Sequence, residues 1–64
     1  MSRLGDIVRA KRKQLNMTGP ELASKVGISQ AMLSYIESGE KKPGIGTLVA
    51  LARALECKVD DLVQ

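Results

Sequence analysis

Of the side chains that do covalent chemistry, this chain holds one cysteine, Cys57, and no histidine. No Ser-His or Cys-His pair is possible, so nucleophilic catalysis of that kind is excluded. A single cysteine without histidine builds neither a structural zinc site nor an intrachain disulfide. Cys57 has Leu55 and Val59 two residues to either side and reads as a small buried hydrophobe. The residue types that remain are suited to recognition. Gln30, Ala31, Ser34 and Tyr35 recur at helical spacing. Thr18 and Ser29 are hydroxyls standing where helices begin. The cations are unevenly placed: residues 1–16 hold Arg3, Arg9, Lys11, Arg12 and Lys13 against Asp6 alone. Residues 17–42 balance three lysines against three glutamates, and residues 43–64 are slightly acidic, giving +3 for the 64-residue chain. A basic first segment and an acidic last one suit a polyanion on one face.

These side chains must be held by short helices. Aromatic residues are represented by Tyr35 alone, while 44% of the chain is hydrophobic. The core is therefore expected to be aliphatic. Every apolar stripe has helical period and no segment alternates with period two. A first helix runs from about Arg3 to Leu15, with Leu4, Ile7, Val8 and Leu15 along one side and Asn16 at its end. Thr18 caps a second, from Gly19 to about Val26. Pro20 lies in its first turn and Glu21 completes a capping box. Its inward residues are Leu22, Ala23 and Val26. Gly27 ends it and Ile28 plugs the turn. Ser29 caps a third helix from Gln30 to about Ser38, with Leu33 and Ile36 inward. A polar loop then carries Lys41, Lys42 and Pro43. A fourth helix follows from near Ile45 to Leu55, with Ile45, Leu48, Leu51, Ala52 and Leu55 as its expected inner stripe. A short fifth spans roughly Val59 to Val63, with Asp60 and Asp61 in its first turn and Val59 and Leu62 inward. The reading is one all-α domain over residues 1–64.

The stretch from Gly19 to Ser38 is two short helices joined by Gly27-Ile28-Ser29. This is a helix-turn-helix, with its second helix free to enter a major groove. Leu22-Ala23, Gly27, Ser29, Ile36-Glu37-Ser38-Gly39 and Leu51-Ala52, at these spacings, resemble the Cro/repressor family, also called the xenobiotic-response-element family. The resemblance continues to Val59-Asp60-Asp61-Leu62 and covers essentially the whole chain. It implies a five-helix lambda-repressor-like DNA-binding domain.

It also implies roles. Gln30 opens the recognition helix, and its amide suits adenine N6 and N7. Ala31 lies beside a thymine methyl or is simply a good helix former. Ser34 and Tyr35 follow one turn on, and Tyr35 reaches a base edge or a phosphate. Met32 is expected outward on this helix, packing on the sugar-phosphate wall or on the fourth helix. Phosphates are expected at Thr18, Gly19 and Ser29, and at Lys41 and Lys42. Relatives commonly carry Gln where this chain has Gly19, so only a backbone amide remains there. Relatives also often place Gly at Glu56 and Ser or Thr at Lys58. Arg12 and Glu37 resemble a partly buried ion pair that orients the third helix.

The expected function is a sequence-specific regulator, a repressor, reading a pseudo-palindromic operator in double-stranded DNA as a homodimer. Leu62 and Val63 are the expected dimer contacts. The alternative is an antitoxin-like or adaptor module that uses the scaffold without reading bases. No enzyme activity, cofactor, metal or small-molecule ligand is expected. The longest apolar run is far below a membrane span of about 20 residues. Charges enter at Arg3 and Asp6, which argues against a signal peptide. A cytoplasmic protein of bacterial or phage origin, associated with the nucleoid, is expected.

Overall fold

The computed structural model describes residues 3–63; Met1, Ser2 and Gln64, the ends of the expected domain, lie outside the described residues. Five helices form in order: α1 Arg3–Gln14, α2 Gly19–Val26, α3 Gln30–Ser38, α4 Ile45–Ala54 and α5 Val59–Leu62. Among the described residues there is no strand. Helices α1 and α4 flank the α2–α3 pair, α1 packing on α3 and α4 on α2, while α5 touches both α1 and α4. No described helix is long and apolar enough to cross a membrane.

Each turn has a local chemical cause. At the end of α1, the Met17 N–H donates to Arg12 O at 3.0 Å and the Asn16 N–H to Lys13 O at 3.0 Å. This closure needs a left-handed residue, and Asn16 supplies φ 56°. The α2 end repeats the pattern, with the Ile28 N–H on Ala23 O at 3.0 Å and Gly27 at φ 82°. The α4 end repeats it again, with the Cys57 N–H on Ala52 O at 2.9 Å. There the left-handed residue is Glu56, at φ 57°. Glu, unlike Gly or Asn, is strained in that conformation. The helix starts are as specific. Thr18 Oγ1 accepts the Glu21 N–H at 3.2 Å, and Glu21 Oε1 accepts the Thr18 N–H at 3.0 Å. Lys58 lacks a capping hydroxyl, but its N–H donates to Asp61 Oδ2 at 3.0 Å, which keeps half of a capping box.

The core is aliphatic. Val8, Leu22, Ala23, Leu33, Ile36, Leu48, Leu51, Ala52, Leu55 and Leu62 are buried together. Leu4, Ile7, Leu15, Val26, Ile28 and Val59 pack around them, as does Met32, whose side chain thus turns toward the core. Ile45 departs from its expected place: it is 78% exposed. At about 100° per residue it sits roughly 70° from the centre of the stripe formed by Leu48, Leu51, Ala52 and Leu55. It also opens the helix, where the chain has only just left the loop.

One contact was not legible as periodicity. Gly5 lies against the carbonyls of Ile36 and Glu37, so that a Cβ built there would collide with Glu37 O. The start of α1 thus rests backbone to backbone on the end of α3. Gly5→Ala is expected to lower stability by about 1–3 kcal/mol through overpacking, read in a urea melt. Glu56→Gly is expected to do the reverse, adding about 1 kcal/mol by relieving the left-handed strain. In a domain of this size that raises Tm by about 4–8 °C. An unchanged or lower Tm would mean that the turn after α4 is held differently.

Candidate nucleic-acid interface

The recognition unit is fixed from behind by an ion cluster. Glu37 lies on the inner side of the last turn of α3 and is 9% exposed. A buried carboxylate needs partners, and α1 supplies two. Arg12 Nε donates to Glu37 Oε2 at 2.9 Å, and its Nη2 donates to Oε1 at 3.4 Å. Arg9 Nε adds a contact to Oε1 at 3.4 Å. The remaining side of the Arg12 guanidinium donates through Nη1 to Met17 O at 3.0 Å. One side chain therefore ties the end of α3 to the loop that feeds α2. Arg9 was not singled out by sequence reasoning. The signal was available: it lies three residues before Arg12, on the same helix face.

The turn of the unit is Gly27, Ile28 and Ser29. Ser29 Oγ accepts the Met32 N–H at 3.0 Å and starts α3. Ile28 is half-buried against the core. With Leu33, Ile36 and Glu37 facing inward, Gln30, Ala31, Ser34 and Tyr35 are all exposed on the opposite side. The structure thus brings the four expected base-reading residues onto one open surface.

Its flanks hold the expected phosphate positions. Thr18 and Ser29 both spend an oxygen lone pair on caps; the Ser29 proton stays free to turn outward, whereas the Thr18 hydroxyl also faces the Glu21 carboxyl. The Thr18 N–H is bonded to Glu21, so it is not available to an anion. Glu21 accepts that N–H, and this bond together with the Thr18 hydroxyl holds its carboxyl below the ordinary glutamate range. Gly19 opens α2, and a Cβ added there would meet nothing within 4 Å, so the site has room for a longer side chain. Lys41 and Lys42 are exposed in the loop after α3. They are not equivalent. Lys41 Nζ lies 4.9 Å from the centre of the Tyr35 ring.

One expected site residue is displaced. Leu62 is 0% exposed and belongs to the core, so it has no surface to offer a second subunit. The reason is the short α5, which α1 and α4 cover from inside. Val63, the next residue, is 53% exposed. Cys57 is partly buried, and loss of solvation raises its thiol pKa, which fits packing rather than reactivity.

Five helices, a capped three-residue turn and an open second helix define a helix-turn-helix domain. The helix-turn-helix family model (HTH_3), which comprises Cro and C1-type repressors, matches residues 8–62, and the chain belongs to this family. The uncharacterised HTH-type transcriptional regulator YozG of Bacillus subtilis is 40% identical over 60 residues, covering 92% of this chain and 68% of that protein. Repressor protein C2 of Salmonella phage P22 is 36% identical over 61 residues, covering 95% of this chain and 28% of the repressor. The chain spans about a quarter of the length of the first curated relatives it matches, 26% and 28%. The crystal structure of the P22 c2 repressor in complex with a synthetic operator superposes with a TM-score of 0.91. Its identity is 35%, and the match covers 97% of this chain and 94% of that one.

Replacing Glu37 by Gln leaves the partly buried Arg12 without its charge partner. A loss of about 3 kcal/mol is expected. Arg9→Ala removes a half-exposed cation, and a loss under about 1 kcal/mol is expected. Equal losses in chemical denaturation would mean that the cluster is not organised around Arg12.

Proposed function

We propose that this chain is the sequence-specific DNA-binding domain of a transcriptional repressor, with α3 lying in the major groove. The observation that carries this reading is the open α3 face, where Gln30, Ala31, Ser34 and Tyr35 stand together in solvent. The face carries amide, hydroxyl and methyl groups and no charge, which suits base edges more than phosphates. Gln30 is assigned to adenine, Ala31 to a thymine methyl, and Ser34 and Tyr35 to the neighbouring edges. The Thr18 and Ser29 hydroxyls, the Gly19 N–H and the cationic loop after α3 supply phosphate contacts on either flank. Relatives named as repressors, one of them structurally similar while holding its operator, support the same reading.

One recognition helix reads too short a site to be selective. The reading therefore includes a homodimer on a pseudo-palindrome with half-sites about 34 Å apart. The exposed Val63 is assigned to the subunit contact, and buried Leu62 only supports it from within. A repressor of this kind works where the DNA is, in the bacterial cytoplasm.

Selection of bound duplexes from a random pool tests the reading. A half-site motif is expected, with affinity that falls steeply with salt. Gln30→Ala is expected to relax one base position at a cost of about 1–3 kcal/mol in discrimination. Recovery of no motif would favour an interaction module on the same scaffold, and a motif unchanged by Gln30→Ala would sink the assignment of α3.

A further inference from the structure

The two loop lysines have different surroundings, and the difference bears on base reading. After α3 the chain turns at Gly39 and doubles back. The Lys41 N–H donates to Tyr35 O at 3.2 Å. The same carbonyl accepts Ser38 Oγ at 3.1 Å, and Ser38 Oγ in turn accepts the Glu40 N–H at 3.4 Å. The loop is thus sewn onto the last turn of α3 through the backbone of Tyr35. Its consequence is that the Lys41 ammonium lies over the ring, 4.9 Å from the centroid, within the range of a cation–π contact. Tyr35 is 39% exposed. On the outer face of the helix, the Lys41 cation lies over the ring and favours the rotamer that keeps this contact. Lys42, next in the chain, has no such contact among those the described residues show.

We infer that Lys41 is a positioning residue for base reading: it holds the Tyr35 ring in one orientation on the recognition surface, and the phosphate charge of this loop is carried by Lys42. This rests on the reading of α3 as the groove-entering helix. The physical basis is that one ammonium cannot lie on the ring and also reach out to a distant phosphate. If the cation stays on the ring, the orientation of Tyr35, and so the bases it tolerates, depends on a residue that touches no base. A base-contacting side chain with a fixed rotamer discriminates better than one sampling several, because wrong geometries are no longer available to fit other bases.

Two measurements test this. The first needs no DNA. The Lys41 ε-methylene protons are expected upfield of those of the other lysines, from the ring current of Tyr35, and to return to the common position in Tyr35→Leu. A common position in the unaltered protein overturns the inference. The second uses duplexes selected from a random pool, compared for the unaltered protein, Lys41→Met, Lys41→Arg, Lys42→Met and Tyr35→Leu. Lys41→Met is expected to weaken discrimination about two- to five-fold, at the base positions that Tyr35→Leu also relaxes. Lys41→Arg, which keeps a cation over the ring, is expected to restore it. Lys42→Met is expected to weaken all duplexes alike and to reduce the salt slope by about 0.9. If Lys41→Met behaves like Lys42→Met while base preference is intact, Lys41 is a phosphate contact and the inference fails alone. If the unaltered protein shows no base preference, the DNA-reading function fails and this role falls with it.

Discussion

The arrangement of the recognition helix depends on one buried carboxylate. Glu37 sits at the end of α3 in a place that would otherwise be apolar, and α1 brings Arg12 and Arg9 to it. The geometry is demanding because a carboxylate left unpaired there would cost several kcal/mol. Arg12 meets it through two nitrogens and uses a third on Met17 O, so the pair also fixes the entry to α2. The close seat of Gly5 on the α3 carbonyls brings the two helices near enough for this contact. Helix α3 is therefore fastened along its back, which is what leaves its front clean.

That fastening changes the meaning of the charge distribution. The first helix is the most basic part of the chain, and by itself this suggests an anion-binding surface. Two of its cations, Arg9 and Arg12, face Glu37 instead. The open α3 face is uncharged, and the loop after α3 holds Lys41 and Lys42. Charge and neutral hydrogen-bonding groups are thus separated: cations stand in the loop beside the face, and the uncharged side chains occupy the face itself.

The turns show how a domain without an intrachain disulfide keeps its shape. Three helices end with the same paired closure of backbone N–H groups on the preceding turn. Asn16 and Gly27 meet the left-handed requirement at little cost, and Glu56 meets it with strain. The closures hold the connections short, so the aliphatic side chains of five brief helices converge on one core. No single helix here is long enough to persist alone, and each depends on the others for burial.

The helix order and bounds were almost fully legible, because caps and breakers are local. Thr18, Pro20, Gly27 and Ser29 act on bonds within a few residues, so their types alone determine where α2 and α3 begin and where α2 ends. Apolar period then told the inner from the outer face of α3, except at Met32, which reads as outward and packs on the core. It failed for Ile45 at the edge of its stripe, where exposure depends on what packs beside the first turn of α4. Period also placed Leu62 inward, and what failed was its second reading as a subunit contact, which its place near the C-terminus allowed until α1 and α4 are seen to cover it. Arg9 on Glu37, Gly5 on the α3 carbonyls and Lys41 on Tyr35 were decided only by the tertiary structure. The first two join residues about thirty positions apart, and the third depends on how the chain doubles back after Gly39. Local chemistry specifies elements, whereas the distance between two side chains is set by how those elements pack.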